Sequence, residues 1–167
     1  MNTRNFHSRP LFRAAACLAL PGIALFAPTA HAALGSMQVS VESDARALRA
    51  VRQTVSEQNY TVEHLVLSQG TRVKEYVNAA GVVFAVTWHG RYSPNLTQLL
   101  GTYSDRARVE ARAVRVRQGG VGPAAINDAD LSVVFGGRMG SYSGRAWLPP
   151  QLPAGFNPAS LDREVQQ

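Results

Sequence analysis

Between residues 60 and 90 the chain carries three short apolar-patterned runs separated by tight turns, and this stretch constrains the fold more than any other. Tyr60–Ser68 is rich in β-branched and aromatic residues and ends at Gln69-Gly70. Thr71–Asn78 alternates Val73, Glu75 and Val77 against Arg72, Lys74 and Tyr76, and Ala79-Ala80-Gly81 follows as a second turn. Val82–His89 is apolar at both parities, as a central strand covered on two faces must be. Period-2 runs joined by glycine-containing turns cannot settle as helices, so the spacing predicts an antiparallel meander. Trp88, inside the two-faced run, is expected to be structural on a central strand, and Tyr76, Phe84 and Trp147 to be core or sheet-face residues.

Around this meander the pattern changes period. Val39 and Val41 alternate as an edge strand would. Ser43 and Asp44 are good helix caps, with Ala45, Leu48 and Val51 following at helical spacing, and Val51–Ser56 also reads as a strand. Ser93 as cap and Pro94 at the first position predict a second helix, whose Leu96, Leu99, Leu100 and Tyr103 form a stripe for the sheet. Residues 105–118 either continue that helix or alternate as a strand at Val114–Arg117, before the glycines at 119–122 interrupt any element. Leu131–Phe135 and Met139–Leu148 read as a hairpin around Gly136-Gly137. Pro149, Pro150 and Pro153 end the sheet, and Asn157-Pro158 starts a last short helix. The expected class is α+β: an antiparallel sheet of two hairpin or meander units, one central amphipathic helix and short flanking helices. The expected organisation is a leader over 1–32, one domain over 33–148 and a Pro-rich tail over 149–167.

The leader reading rests on charge and residue size. Arg4, Arg9 and Arg13 precede an apolar run at 14–26, and Ala30-His31-Ala32 closes the segment. A basic start, a short apolar stretch and an A-x-A site make a secretory signal, cut after Ala32. Of the 17 basic and 11 acidic residues, 14 and 11 remain after the cut, so the sequence isoelectric point near 10.2 overstates the basicity and a nucleic-acid partner loses its support. Cys17 leaves as well, excluding disulfides and cysteine chemistry, and no transmembrane segment is expected after cleavage. The expected location is the periplasm or the medium.

The candidate chemistry is sparse. Arg108, Arg112 and Arg115 share one helical face, a site for phosphate or anionic lipid, with a solvated face as the plainer reading. Arg106 and Glu110 make an ordinary i, i+4 pair. The glycines at 119–122 lack the lysine a phosphate-binding loop needs. Gly140–Gly144 has Tyr142 where a nucleophile elbow needs serine, so a Ser143–His89–Asp130 triad has no motif behind it. His64 and His89, with Glu63 or Glu75, show no metal-ligand spacing. Arg145 shares a strand face with Ser143 and Trp147, and Glu75 is its candidate partner, an anionic ligand being the alternative. No catalytic residue, metal ligand or cofactor is assigned.

Glu75-Tyr76-Val77, Gly81, Val83–Val86, Trp88, Gly90, Pro94, Leu96, Leu99–Gly101, Ser143–Ala146 and Leu148-Pro149, with Ala33–Gly35 ahead of them, are a combined pattern. Through it the chain resembles bacterial exported proteins of the domain-of-unknown-function family 2844, over essentially all of residues 33–167. Arg91 and Asn95 stand where that pattern leads one to expect Pro and Asp. The resemblance implies export and a small α+β domain, and brings no ligand or catalytic residue with it. The expected function is non-catalytic binding of an envelope component or protein partner. A hydrolase using Ser143, Arg145 or His89 is the alternative, and a structural protein resting its Arg108 face on anionic surfaces is a third.

Overall fold

A computed structural model describes residues 34–38, 41–120 and 122–165. The leader expected over 1–32 and Val39 lie outside the described residues. In chain order the elements are α1 (Val41–Ala47), β1 (Val51–Ser56), β2 (Tyr60–Val66), β3 (Arg72–Asn78) and β4 (Val83–Gly90). There follow α2 (Leu96–Leu100), a 3-10 turn (Gly101–Tyr103), α3 (Ser104–Arg117), β5 (Ala124–Asn127), β6 (Ser132–Arg138), β7 (Ser141–Trp147), a further 3-10 turn (Pro149–Gln151) and α4 (Ser160–Val165).

Among the described residues seven strands join one antiparallel sheet in the order β1-β2-β3-β4-β7-β6-β5. The meander is therefore β2-β3-β4, and the chain leaves its inner edge through the helices. It returns at the far edge and fills inward until β7 closes on β4. Residues directly opposite one another share a face, so the register assigns every side chain. Leu65, Val73, Trp88, Gly144, Phe135 and Ala124 form one transverse row. Glu63, Glu75, Val86, Ala146, Val133 and Ile126 form the next. Both rows face the helices, and their apolar members pack with Leu99, Leu100, Ala107 and Ala111 in the larger core. The small Ala107 and Ala111, one turn apart, give α3 its contact with this core.

The reverse face has a second, aromatic core. A bulge between Tyr76 and Val77 lets Phe84 and Ala85 both join it. Phe156 stands edge-on to Phe84 and Tyr60, at centroid distances of 4.9 and 5.3 Å. With Leu152 and the fully buried Leu161, it makes the segment after Leu148 a cover for this half of the sheet.

Several sequence expectations are corrected. Val41 opens α1 and is not in an edge strand, and Ser43 and Asp44 lie inside that helix, which therefore starts earlier than caps at those positions would require. The strand reading of Val51–Ser56 holds as β1, so of the two readings of Val51 the helical one falls away. The second helix is capped by Asn95, whose side chain accepts from the Gln98 amide at 3.3 Å, and not by Ser93. Of the two readings left open for residues 114–117 the helical one holds: with Ala107 and Ala111 already facing the core, the same face continues through Val114. The second hairpin turns at Met139-Gly140 while Gly136-Gly137 remain in β6, because Gly137 lets the backbone of Ser141 and Tyr142 come close. The short strand β5 was not anticipated.

Candidate functional site

The three arginines singled out on α3 line a groove of about 490 Å³ between α2, α3 and β6. Its apolar wall comes from Leu96 and Leu100 of α2, Ala111 and Val116 of α3, and Phe135 of β6. Leu100 and Phe135 are buried because they also belong to the larger core, so this wall is anchored in the fold. Arg108, Arg112 and Arg115 recur at i, i+4 and i+7, which puts them along one side of the helix and on the same groove. Arg108 is tied to Asp105 at 2.8 Å in an exposed pair. Among the described residues, Arg112 and Arg115 meet no carboxylate. Its volume falls within the roughly 300–1,000 Å³ common to small-molecule pockets, and its walls are apolar with a few charged groups at the rim.

Another arginine of α3 is spent on structure. Arg106, on the opposite side of α3, binds Glu110 at 3.0 Å, Asp130 at 2.8 Å and Asp128. These hydrogen bonds raise the Arg106 pKa further and hold the Asp130 carboxyl below its usual range. A larger, open cleft of about 670 Å³ lies between the β1–β2 turn and residues 150–154. It offers no cluster of charge, and Asn78 at its wall is already bonded to Gln151, Ala80 and Val82.

Arg145 does share a face with Ser143 and Trp147, its guanidinium carbon lying 5.8 Å from the Trp147 ring centroid. Glu75 is not its partner. Arg145 stands opposite Thr87 on the reverse face, whereas Glu75 stands opposite Val86 on the helical face. Asp162 of α4 pairs with Arg145 instead, docking the last helix on β4 and β7. Burial lowers the Arg145 pKa, and an arginine remains charged all the same.

The same two-face division separates the other candidate groups. His64 and His89 are on the reverse face, Glu63 and Glu75 on the helical face, so these four do not converge on one metal. Among the described residues no three His, Cys, Asp or Glu side chains gather where a metal ion could be held. His89 and Ser143 are direct cross-strand neighbours, but Asp130 is held by Arg106 at the far side of the sheet. Among the described residues the buried His89 Nδ1 has no hydrogen-bond partner, so no carboxylate orients the ring as a triad requires.

One polar constellation escaped the sequence reading. Glu63, fully buried, accepts from Arg52 Nε and Nη2 at 2.8 Å each, from Thr54 at 2.6 Å and from Gln38 at 3.3 Å. Burial pushes its pKa up, but these hydrogen bonds and the Arg52 charge outweigh that and bring it below the usual value. The Arg52–Glu63 pair was hidden because it depends on pairing β1 with β2.

The model of the family described as "Protein of unknown function (DUF2844)" matches residues 30–161. The chain belongs to the DUF2844 family. No curated protein and no solved structure matches it. The match spans every strand, the groove and α4 as far as Leu161. Several residues behind the DUF2844 resemblance have packing roles. A side-chain carbon on Gly144 would fall 2.1 Å from Trp88 Cζ2, and one on Gly90 would fall 2.7 Å from the Thr71 backbone. Leu34 and Gly35 are bonded through their amides to Leu99 and Val83. Asn95, which replaces the Asp of the pattern, still supplies the capping oxygen.

Proposed function

We propose that the protein is an exported binding protein whose groove takes a small amphipathic anion, an apolar chain ending in a carboxylate or phosphate. The apolar part lies against Leu96, Leu100 and Phe135, and the head group meets Arg112 and Arg115. The observation that carries this reading is the combination of an anchored apolar wall with two arginines that, among the described residues, have no carboxylate of their own. Guanidinium groups bind such oxyanions in paired, charge-assisted hydrogen bonds. Export is supported by the basic start, short apolar run and A-x-A site of residues 1–32.

Titration calorimetry with dodecanoate and dodecyl phosphate tests the site, with dodecanol and inorganic phosphate as half-ligands. Saturable binding of the whole ligands is expected, with each half-ligand far weaker. Arg112→Ala with Arg115→Ala removes about 1.5–3 kcal/mol per charged hydrogen bond lost, at least a tenfold loss of affinity. Unchanged affinity in that double variant overturns the reading. Binding to anionic vesicles with none to the monomeric ligands replaces it with a surface-docking role for the same face.

A further inference from the structure

We propose that the protein forms a homodimer by pairing the outer edge of β1 with β1 of a second copy, antiparallel about a two-fold axis normal to the sheet. Among the described residues the strand order leaves two edges, β5 and β1. The β5 edge is short, and α3 packs against it. The β1 edge runs six residues, pairs with β2 in unbroken register, and is exposed at every position. Natural sheets guard such edges with proline, lysine, a bulge or a covering element. Val51–Ser56 contains no proline, no lysine and no bulge. Its one charge, Arg52, is turned back onto Glu63.

The composition of β1 fits a second copy of itself. Opposed residues must share a face, and a two-fold axis normal to the sheet preserves faces, so odd positions meet odd and even meet even. Centring the axis on Gln53 sets Val51 opposite the second copy's Val55, and Arg52 opposite its Thr54. The two valines, 75% and 36% exposed, then cover one another twice on the reverse face. The Gln53 amides, each donor and acceptor, meet at the axis. Sliding the pairing by two residues one way sets Arg52 against its own copy, like charge on like. Sliding it the other way sets Val51 against Glu57. Of these three registers only the central one sets valine against valine, and it leaves the Arg112 groove open beyond β7.

Sedimentation equilibrium of the full chain, in the form the expressing cell yields, tests this with two charge variants. The unaltered protein is expected as a dimer. Val51→Lys with Val55→Lys sets two lysine pairs across the axis and gives a monomer. Val51→Lys with Val55→Glu sets two Lys–Glu pairs and restores a dimer that weakens with salt. Oxidation supplies a second readout: Gln53→Cys meets its own copy at roughly 4.5–5.5 Å between Cα atoms and crosslinks, while Ser56→Cys does not. A monomeric unaltered protein overturns the proposal, as does a dimer undiminished by the two lysines. Crosslinking through Ser56→Cys in place of Gln53→Cys also overturns it. The circular dichroism of each variant separates loss of pairing from loss of fold.

Discussion

Replacing Gly144 by alanine measures how tightly the middle of the sheet is packed. Gly144 of β7 lies opposite Trp88 of β4, and the indole covers the space where a side chain would be. The added carbon would lie 2.1, 2.6 and 2.8 Å from Cζ2, Cε2 and Cη2 of that ring, where carbon atoms rest at about 3.5–4.0 Å. The ring has nowhere to retreat: Trp88 is 3% exposed and its centroid is 6.0 Å from that of Phe135. Overpacking of this kind costs about 1–3 kcal/mol or somewhat more, against a backbone gain of about 0.5–1 kcal/mol for alanine in a strand. The expected net loss is ~2 kcal/mol, a fall in Tm of roughly 5–10 °C for a domain of this size. Urea unfolding followed by tryptophan fluorescence reads it directly. Trp88→Phe makes room, so Trp88→Phe with Gly144→Ala should lose about 1 kcal/mol less than the two single losses added together. Unaltered stability in Gly144→Ala, or strict additivity in the pair, would refute the claim that the glycine exists to seat the indole.

Trp88→Ala, which leaves a cavity under α2 and α3, should cost about 3–5 kcal/mol in the same unfolding assay. Glu63 is held below its ordinary value of 4.5 in the fold, so the folded state binds fewer protons than the unfolded one. The stability this confers is complete above about pH 4.5 and is lost as the pH falls through the lowered pKa. Urea midpoints from pH 3 to 7 should therefore drop less steeply on the acid side in Glu63→Gln than in the unaltered protein. A double-mutant cycle on Arg145→Ala and Asp162→Ala should give a coupling of about 1 kcal/mol, whereas Arg145→Ala and Glu75→Ala should be additive across the two faces. N-terminal sequencing of protein recovered from periplasm or medium should begin at Ala33, and a full-length cytoplasmic product would reject export.

How much was legible follows from the range of each interaction. Residues 60–90 declared themselves because a strand's alternation and a turn's glycine are local, and the meander needs only sequential pairing. The Arg108, Arg112 and Arg115 row was equally local, fixed by the helical repeat once α3 was helical. The helix starts were missed by a few residues because Ser43, Asp44, Ser93 and Asn95 are all acceptable caps, and the choice falls to whichever register buries the apolar stripe. The strand β5 was missed because four residues carry too little pattern.

By itself, the sequence determined which segments alternate, which face of each strand is apolar, and that Arg145 sits beside Ser143 and Trp147. Only the tertiary structure decided that β7 closes on β4, since that pairing joins segments far apart in the chain. From this one choice follow the seat of Trp88 on Gly144 and the docking of Asp162 on Arg145. It also brings Phe135 to the wall of the arginine groove. Glu75 shows the difference most plainly. Its charge made it a partner for Arg145, but a β-sheet has two sides, and alternation along one strand cannot say which side of another strand it will share until the register between them is set.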